Sequence, residues 1–139
     1  MRVFLDANIL FSDAKSDGAI RRLLDQLIEL GHELIVDAYV VTEARRNLER
    51  KYSFGIQQLE RRLDQLSTNP HAHTRLDPEY HHLLPEKDQP VLAAALALNC
   101  AVLLTGDRAH FGDLYSRELG TVRILSPRQL AEILPWNSA

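Results

Sequence analysis

The stretch Arg2-Val3-Phe4-Leu5-Asp6-Ala7-Asn8-Ile9-Leu10 decides how the chain is read. Valine and phenylalanine favour strands. An apolar run without alternation suits a strand buried on both faces. The run ends in a carboxylate, Asp6, with Asn8 two positions further on. In an open parallel sheet, ligands sit beyond the carboxyl ends of the strands. Asp6 is therefore expected at the mouth of a site.

The same pattern recurs outward from this stretch. Leu34-Ile35-Val36 reads as a second buried strand, ending at Asp37, which is taken as a loop charge. Ala101-Val102-Leu103-Leu104-Thr105 is the strongest strand and runs into Gly106-Asp107-Arg108. Val122 to Leu125 is the last. Between them lie helical spacings. Asp17-Gly18 offers a cap for Ile20, Leu23, Leu24, Leu27 and Ile28, and Gly31 a stop. From Tyr39, Val40, Val41, Ala44 and Leu48 mark one helical face. After Ser53-Phe54-Gly55, Ile56, Leu59, Leu63 and Leu66 mark another. These two form a helical hairpin with one apolar seam, whose polar faces carry Arg45, Arg46, Arg50, Lys51, Arg61 and Arg62.

Asn69-Pro70 ends that arm. The segment from His71 to Pro85 reads as loop, with a short strand at Thr74-Arg75-Leu76. Asp88 is placed as an N-cap with Pro90 in the first turn, followed by the apolar helix of Val91, Leu92, Ala95, Leu96 and Leu98. Ser126-Pro127 opens a final helix, which stops at Pro135-Trp136. Strands alternating with helices predict an α/β fold of three layers, α/β/α, around a central parallel sheet of four to five strands. Crossovers should be right-handed. A length of 139 residues fits a single domain spanning 1–139.

Composition narrows the function. The chain is 45% hydrophobic and 25% charged, as expected of a globular protein. A net charge of −3 gives no overall pull toward nucleic acid, so such a partner needs a local patch or metal ions. Cys100 is the one cysteine, which excludes an intrachain disulfide and suits a reducing cytosol. Asp6 and Asn8 interrupt the N-terminal apolar run too early for a signal peptide. The longest apolar tract, Val91 to Leu104, falls short of the roughly 20 residues of a membrane span. The expected location is the cytoplasm, with no membrane partner.

Four acids collect at one end of this sheet. Asp6 and Asp107 follow strands. Glu43 sits early on a helix after the second strand, where its side chain leans back over the strand ends. Asp88 opens the helix before the strong strand. Four carboxylates in one cleft repel each other unless cations neutralise them. Oxygen donors without soft ligands suit Mg²⁺ or Mn²⁺. Such ions clamp phosphates and activate water, so phosphodiester hydrolysis is the natural chemistry.

Val3-Phe4-Leu5-Asp6-Ala7-Asn8, Val41-Thr42-Glu43, Asp88-Gln89-Pro90-Val91-Leu92-Ala93-Ala94-Ala95 and Leu104-Thr105-Gly106-Asp107-Arg108-Ala109-His110-Phe111 together resemble the ordered motifs of PIN-domain nucleases. The resemblance covers essentially the whole chain and rests on motif order and spacing. It implies a PIN-like fold and a metal-dependent ribonuclease, and many small members are VapC-type toxins held by an antitoxin. By position it makes Asp6, Glu43, Asp88 and Asp107 the acidic quartet. Asp6 and Asp107 become the principal Mg²⁺ or Mn²⁺ ligands, and Glu43 and Asp88 complete the shell or orient the attacking water. Asn8 and Thr105 are supporting polar residues. Gly106 and Ala109-His110 depart from the more polar or acidic residues of many toxins. His81-His82 lie in an unusually long loop before Asp88. Asp113 is a further acid at the same edge, left outside the site.

Each acid alone has an ordinary explanation. Asp6 could cap the next turn, Glu43 could be a solvated helix charge, Asp88 a plain N-cap and Asp107 a turn former. Their joint spacing favours a site. Arg108 is the better single residue for RNA contact, with Arg45 and Arg46 as a phosphate patch. Against that patch, Glu49, Glu60 and Asp64 make a solvated mixed face. His71, His73, His81 and His82 lack zinc-ligand spacing. The Leu59/Leu63/Leu66 seam is core, or in part a homodimer or antitoxin surface. Two rival functions remain. A HAD-type phosphatase would use Asp6 as nucleophile, but has Asn8 where its second Asp belongs and no role for Glu43. A non-catalytic PIN-fold RNA-binding or assembly module would not need all four acids.

Overall fold

Six strands form one sheet in the order β3-β2-β1-β4-β6-β5 in the computed structural model, which describes residues 1–71 and 75–135. The strands are β1 (Arg2–Leu5), β2 (Glu33–Asp37), β3 (Ser67–Asn69), β4 (Val102–Leu104), β5 (Glu118–Leu119) and β6 (Val122–Leu125). The helices are α1 (Ala7–Lys15), α2 (Ala19–Glu29), α3 (Ala38–Lys51), α4 (Ile56–Leu63), α5 (Gln89–Ala97), α6 (Arg108–Phe111) and α7 (Pro127–Ile133). All pairings are parallel except β5 with β6. Val3-Phe4-Leu5, Val102-Leu103-Leu104 and Leu34-Ile35-Val36 are buried at every position. Consecutive strand side chains point to opposite faces, so both faces of the central strands are covered.

Four strands lie where the apolar runs put them. Two more extend the sheet beyond the expected four to five. Ser67-Thr68-Asn69 carries no apolar signature, and its strand exists because it pairs with Ile35-Val36-Asp37. Glu118-Leu119 folds back on β6 through Gly120, whose φ of 60° suits the tight turn. Thr74-Arg75-Leu76 adds no strand at Arg75 and Leu76, and Thr74 lies outside the described residues, as do His73 and Trp136. Leu76 is buried in the core without regular structure.

Three readings change. The first is helix α1, which starts directly after Asp6 and buries Ala7, Ile9, Leu10, Asp13 and Ala14. No helix is predicted between Asp6 and Asp17. The second is Asp37, which is no loop charge. It is fully buried and caps α3, accepting from Val40 N at 3.1 Å. The third is Arg62, which does not lie on a polar face: it is 2% exposed and clamps three helices. Its Nε and Nη2 donate to Asp13 of α1, and its Nη1 donates to Asp25 of α2 at 2.7 Å and to Gln65 at 3.0 Å. Nη2 also reaches the Arg21 carbonyl at 3.4 Å. Every guanidinium N–H thus finds an acceptor.

Gly55 lets the hairpin press against α1. A β-carbon there would stand 3.0 Å from the Ala14 carbonyl oxygen and from Leu48 Cδ2. Substitution by alanine should push α3 and α4 off α1 and lower stability by about 1–3 kcal/mol, read from urea unfolding. Among the described residues no helix is long and apolar enough to cross a membrane.

Candidate active site

The strand order reverses direction at β1. From β1 the chain adds β2 and β3 on one side, then crosses to β4 and β6 on the other. A crevice opens at such a switch point, beyond the carboxyl ends of the two central strands. Asp6 follows β1, and Thr105, Gly106 and Asp107 follow β4. Main-chain pairing carries this neighbourhood past the strands, with Asp6 N donating to the Leu104 carbonyl at 3.0 Å.

A cleft of about 320 Å³ occupies this place. Asp6, Glu43, Asp88 and Asp107 all line it, together with Asn8, Phe11, Asn47, Lys51 and Lys87. The quartet is therefore brought together from four separate elements. Tyr39 helps close the arrangement: its hydroxyl donates to the Lys87 carbonyl at 2.5 Å, tying the start of α3 to the turn before α5. Burial first, then the charges of Glu43, Asp88, Asp6 and Asp37, raises the Tyr39 phenol above its ordinary pKa.

Asp6 is held by a small network. It is 5% exposed. Its Oδ1 accepts from Ala7 N at 2.7 Å, and its Oδ2 accepts from Thr105 Oγ1 at 2.8 Å and Asn8 Nδ2 at 3.0 Å. The Asn8 Oδ1 in turn accepts from Gly106 N at 2.8 Å. Asn8 and Thr105 thus orient the carboxylate and bind the β1 exit to the β4 exit. Gly106 allows the close approach, since a β-carbon would meet Asn8 Oδ1 at 3.3 Å. Burial pushes the Asp6 pKa from 3.8 up to about 6, against the lowering hydrogen bonds of Thr105 and Ala7, with the negative charge of Glu43 raising it further.

Asp88 stands at the α5 cap position, yet its side chain makes no cap hydrogen bond. It turns instead to His110. The Nδ1 of His110 lies 2.8 Å from Asp88 Oδ2 and 2.9 Å from Asp107 Oδ2, within ion-pair distance of both carboxylates. Burial raises the Asp88 pKa, with His110 pulling it down and Asp107 pushing it up. Asp107 also caps α6, its Oδ1 accepting from His110 N at 3.1 Å. Glu43 is exposed on the rim.

The donor set fits a hard divalent ion. It offers carboxylate oxygens from four acids, a supporting amide and hydroxyl, and no thiolate. One ligand atom each from Asp88, Asp107 and His110 lies within 4.8 Å of the others. A buried carboxylate with a raised pKa beside another carboxylate is a group that a cation would stabilise.

His110 was noted in the sequence only as a departure, although its position three residues after Asp107 places both on one helical face. Asn47 and Lys51 follow Glu43 at successive intervals of four along α3, the same legible signal. Removing His110 leaves Asp88 and Asp107 facing each other. His110→Ala should destabilise the chelated protein by about 1 kcal/mol, discounted for partial exposure. Saturating Mg²⁺ should shrink that loss in parallel urea titrations.

The other residues singled out lie elsewhere. Arg108 borders a neighbouring hollow with Gly106, Tyr115, Ser126 and Arg128. Arg46 lines a second depression that shares Glu43 with the acidic cleft. Arg45 is ion-paired with Glu60 across the hairpin. Asp113 is not among the cleft residues.

No curated protein matches the chain. Solved structures do, at 15% identity. VapBC2 from Rickettsia felis, bound to a DNA fragment from their promoter, superposes with a TM-score of 0.67 over 91% of this chain and 98% of that one. VapBC-1 from nontypeable Haemophilus influenzae gives 0.64 over 92% and 99%. FitAB bound to IR36 DNA gives 0.57 over 90% and 94%. At that identity the likeness shows a shared fold. The PIN domain profile matches residues 2–109, a span that holds the strand exits, the cleft and all four of its acids, and the chain belongs to the PIN-domain family.

Proposed function

We propose that this protein is a divalent-metal-dependent endoribonuclease, acting as the toxin of a toxin–antitoxin pair in the cytoplasm. The observation that carries the catalytic half is the convergence of Asp6, Glu43, Asp88 and Asp107 on one cleft at the switch point of the sheet. Mg²⁺ or Mn²⁺ bound there would neutralise the scissile phosphate and acidify the attacking water. Asp6 and Asp107 serve as the principal ligands. Glu43 and Asp88 complete the shell or orient water. Asn8 and Thr105 fix the Asp6 carboxylate through the bonds described above. Lys51 and Lys87, on the cleft wall, meet the phosphates of the bound strand. Arg108, Arg45 and Arg46 extend this contact outward. The toxin half rests on the fold shared with VapBC and FitAB assemblies.

The test is incubation of purified protein with end-labelled RNA in Mn²⁺, Mg²⁺ or excess chelator. Cleavage should leave 5′-phosphate and 3′-hydroxyl ends, vanish with chelator and return on adding the metal. Cleavage that persists without divalent ions would refute the metal half. RNA binding without cleavage in any metal would favour an assembly module instead. Co-purification with the product of an adjacent small reading frame, and inhibition by it, would test the toxin half.

A further inference from the structure

We propose that a row of three aromatic rings, Phe11, Tyr52 and Phe54, is a stacking path for unpaired nucleotides running out of the acidic cleft. The inference rests on the nuclease reading and names the form of its substrate. Phe11 lines the cleft beside Asp6 and Asn8. Its ring centroid lies 5.6 Å from that of Tyr52, with the planes at 67°. Tyr52 lies 5.7 Å from Phe54 at 86°. The row therefore starts in the cleft and ends on the surface, at the turn between α3 and α4.

Burial along the row changes in the direction this role requires. Phe11 and Tyr52 are half-buried and pack against the core. Phe54 is 71% exposed and the most exposed large hydrophobic side chain among the described residues. Packing the hairpin does not account for a phenylalanine held in water, because the turn is already closed by Gly55 against α1. An exposed ring at the end of a chain of rings offers a flat apolar face of the kind nucleobases stack on.

Charge accompanies the rings. Lys15 Nζ lies 5.0 Å from the Tyr52 ring centroid, and Lys51, the residue before Tyr52, lines the cleft. Rings for bases beside lysines for phosphates are the combination that holds single strands without reading their sequence. A duplex keeps its bases stacked inside and cannot use such a row.

The test uses the full chain and fluorescein-labelled oligoadenylate, alone or annealed to its complement, with anisotropy read in excess chelator. Stacking tolerates any base, so oligoadenylate serves without knowledge of the cleavage sequence. Phe54→Ala should weaken binding of the single strand about 5- to 100-fold. It should leave duplex binding and the unfolding midpoint unchanged, since the ring is largely in solvent. Phe54→Trp should restore or tighten single-strand binding. Equal affinity of wild type and Phe54→Ala would overturn the path, as would a wild-type chain that does not bind oligoadenylate. So would a Phe54→Ala variant that binds RNA normally but changes oligomeric state in light scattering, which would make the ring a protein contact. Metal-dependent cleavage in that same preparation would keep the nuclease reading while the path falls. Binding that depends on Phe54 without any cleavage would do the reverse.

Discussion

Asp6→Asn is expected to remove at least about 10²-fold of RNA cleavage and, in the same molecule, to make the metal-free fold more stable at neutral pH. The two effects share one cause. Asp6 is buried beside Glu43, and its pKa stands at about 6 instead of 3.8. Folding therefore binds a proton between those values. Stability from this group is fully present below pH 3.8 and is lost as pH rises through about 6. Above that pH the folded protein holds a buried anion, at an expense of at most about 3 kcal/mol. Asparagine keeps the shape without the charge. Part of the gain is offset because its amide has one acceptor oxygen and cannot accept both from Ala7 N on one side and from Asn8 and Thr105 on the other. Urea unfolding in chelator across this range should show a wild-type decline with rising pH that is missing in Asp6→Asn. Divalent ions should raise the wild-type Tm more above pH 6 than below it, because protons compete for the carboxylate. A variant that cleaves normally would remove Asp6 from the catalytic machinery. A wild type with no such pH dependence would contradict its buried, charge-strained setting.

The second large effect concerns the fold. Arg62→Met should destabilise the protein by about 3–5 kcal/mol, a large part of the 5–15 kcal/mol typical of a domain. The reason is the asymmetry of buried pairs. Arg62 and Asp13 have side chains 2% and 1% exposed, and their contact is 2.7 Å. Removing the guanidinium leaves Asp13 charged in the interior between α1, α2 and α4. Asp13→Leu combined with Arg62→Met should recover much of the loss, because replacing both charges by apolar groups is often neutral. Asp25→Asn tests the outer arm. Asp25 is 61% exposed, so its loss should amount to under about 1 kcal/mol. Equal effects of Asp13 and Asp25 substitutions in urea unfolding would contradict this division. The hairpin carrying Arg62 also carries Lys51, Tyr52 and Phe54, so a loosened Arg62 variant should bind RNA less well besides unfolding earlier.

What could be read in advance depended on whether a residue's neighbours lay close in sequence. Arg62 follows Leu59 by three and adjoins Leu63, so helical spacing alone put it on the buried seam. Its charge, in a pair with Arg61, suggested the opposite. Only the positions of Asp13 and Asp25 on two other helices make burial tolerable, and no local pattern announces them. Asp88 shows the same limit. The sequence made it a helix cap, and it holds the cap position, but His110 from another element draws its carboxylate away. His110 itself was visible only as an oddity after Asp107.

By itself the sequence determined the central strands, because Val3-Phe4-Leu5, Leu34-Ile35-Val36 and Val102-Leu103-Leu104 are apolar at every position and can be satisfied only inside a covered parallel sheet. It also determined that carboxylates stand at strand exits. The tertiary structure alone decided the edge strands β3 and β5, which form by pairing and not by burial. It decided too that Asp6 and Asp107 flank one crevice. That follows from β1 and β4 lying side by side, a pairing between strands some hundred residues apart that propensity and periodicity do not encode.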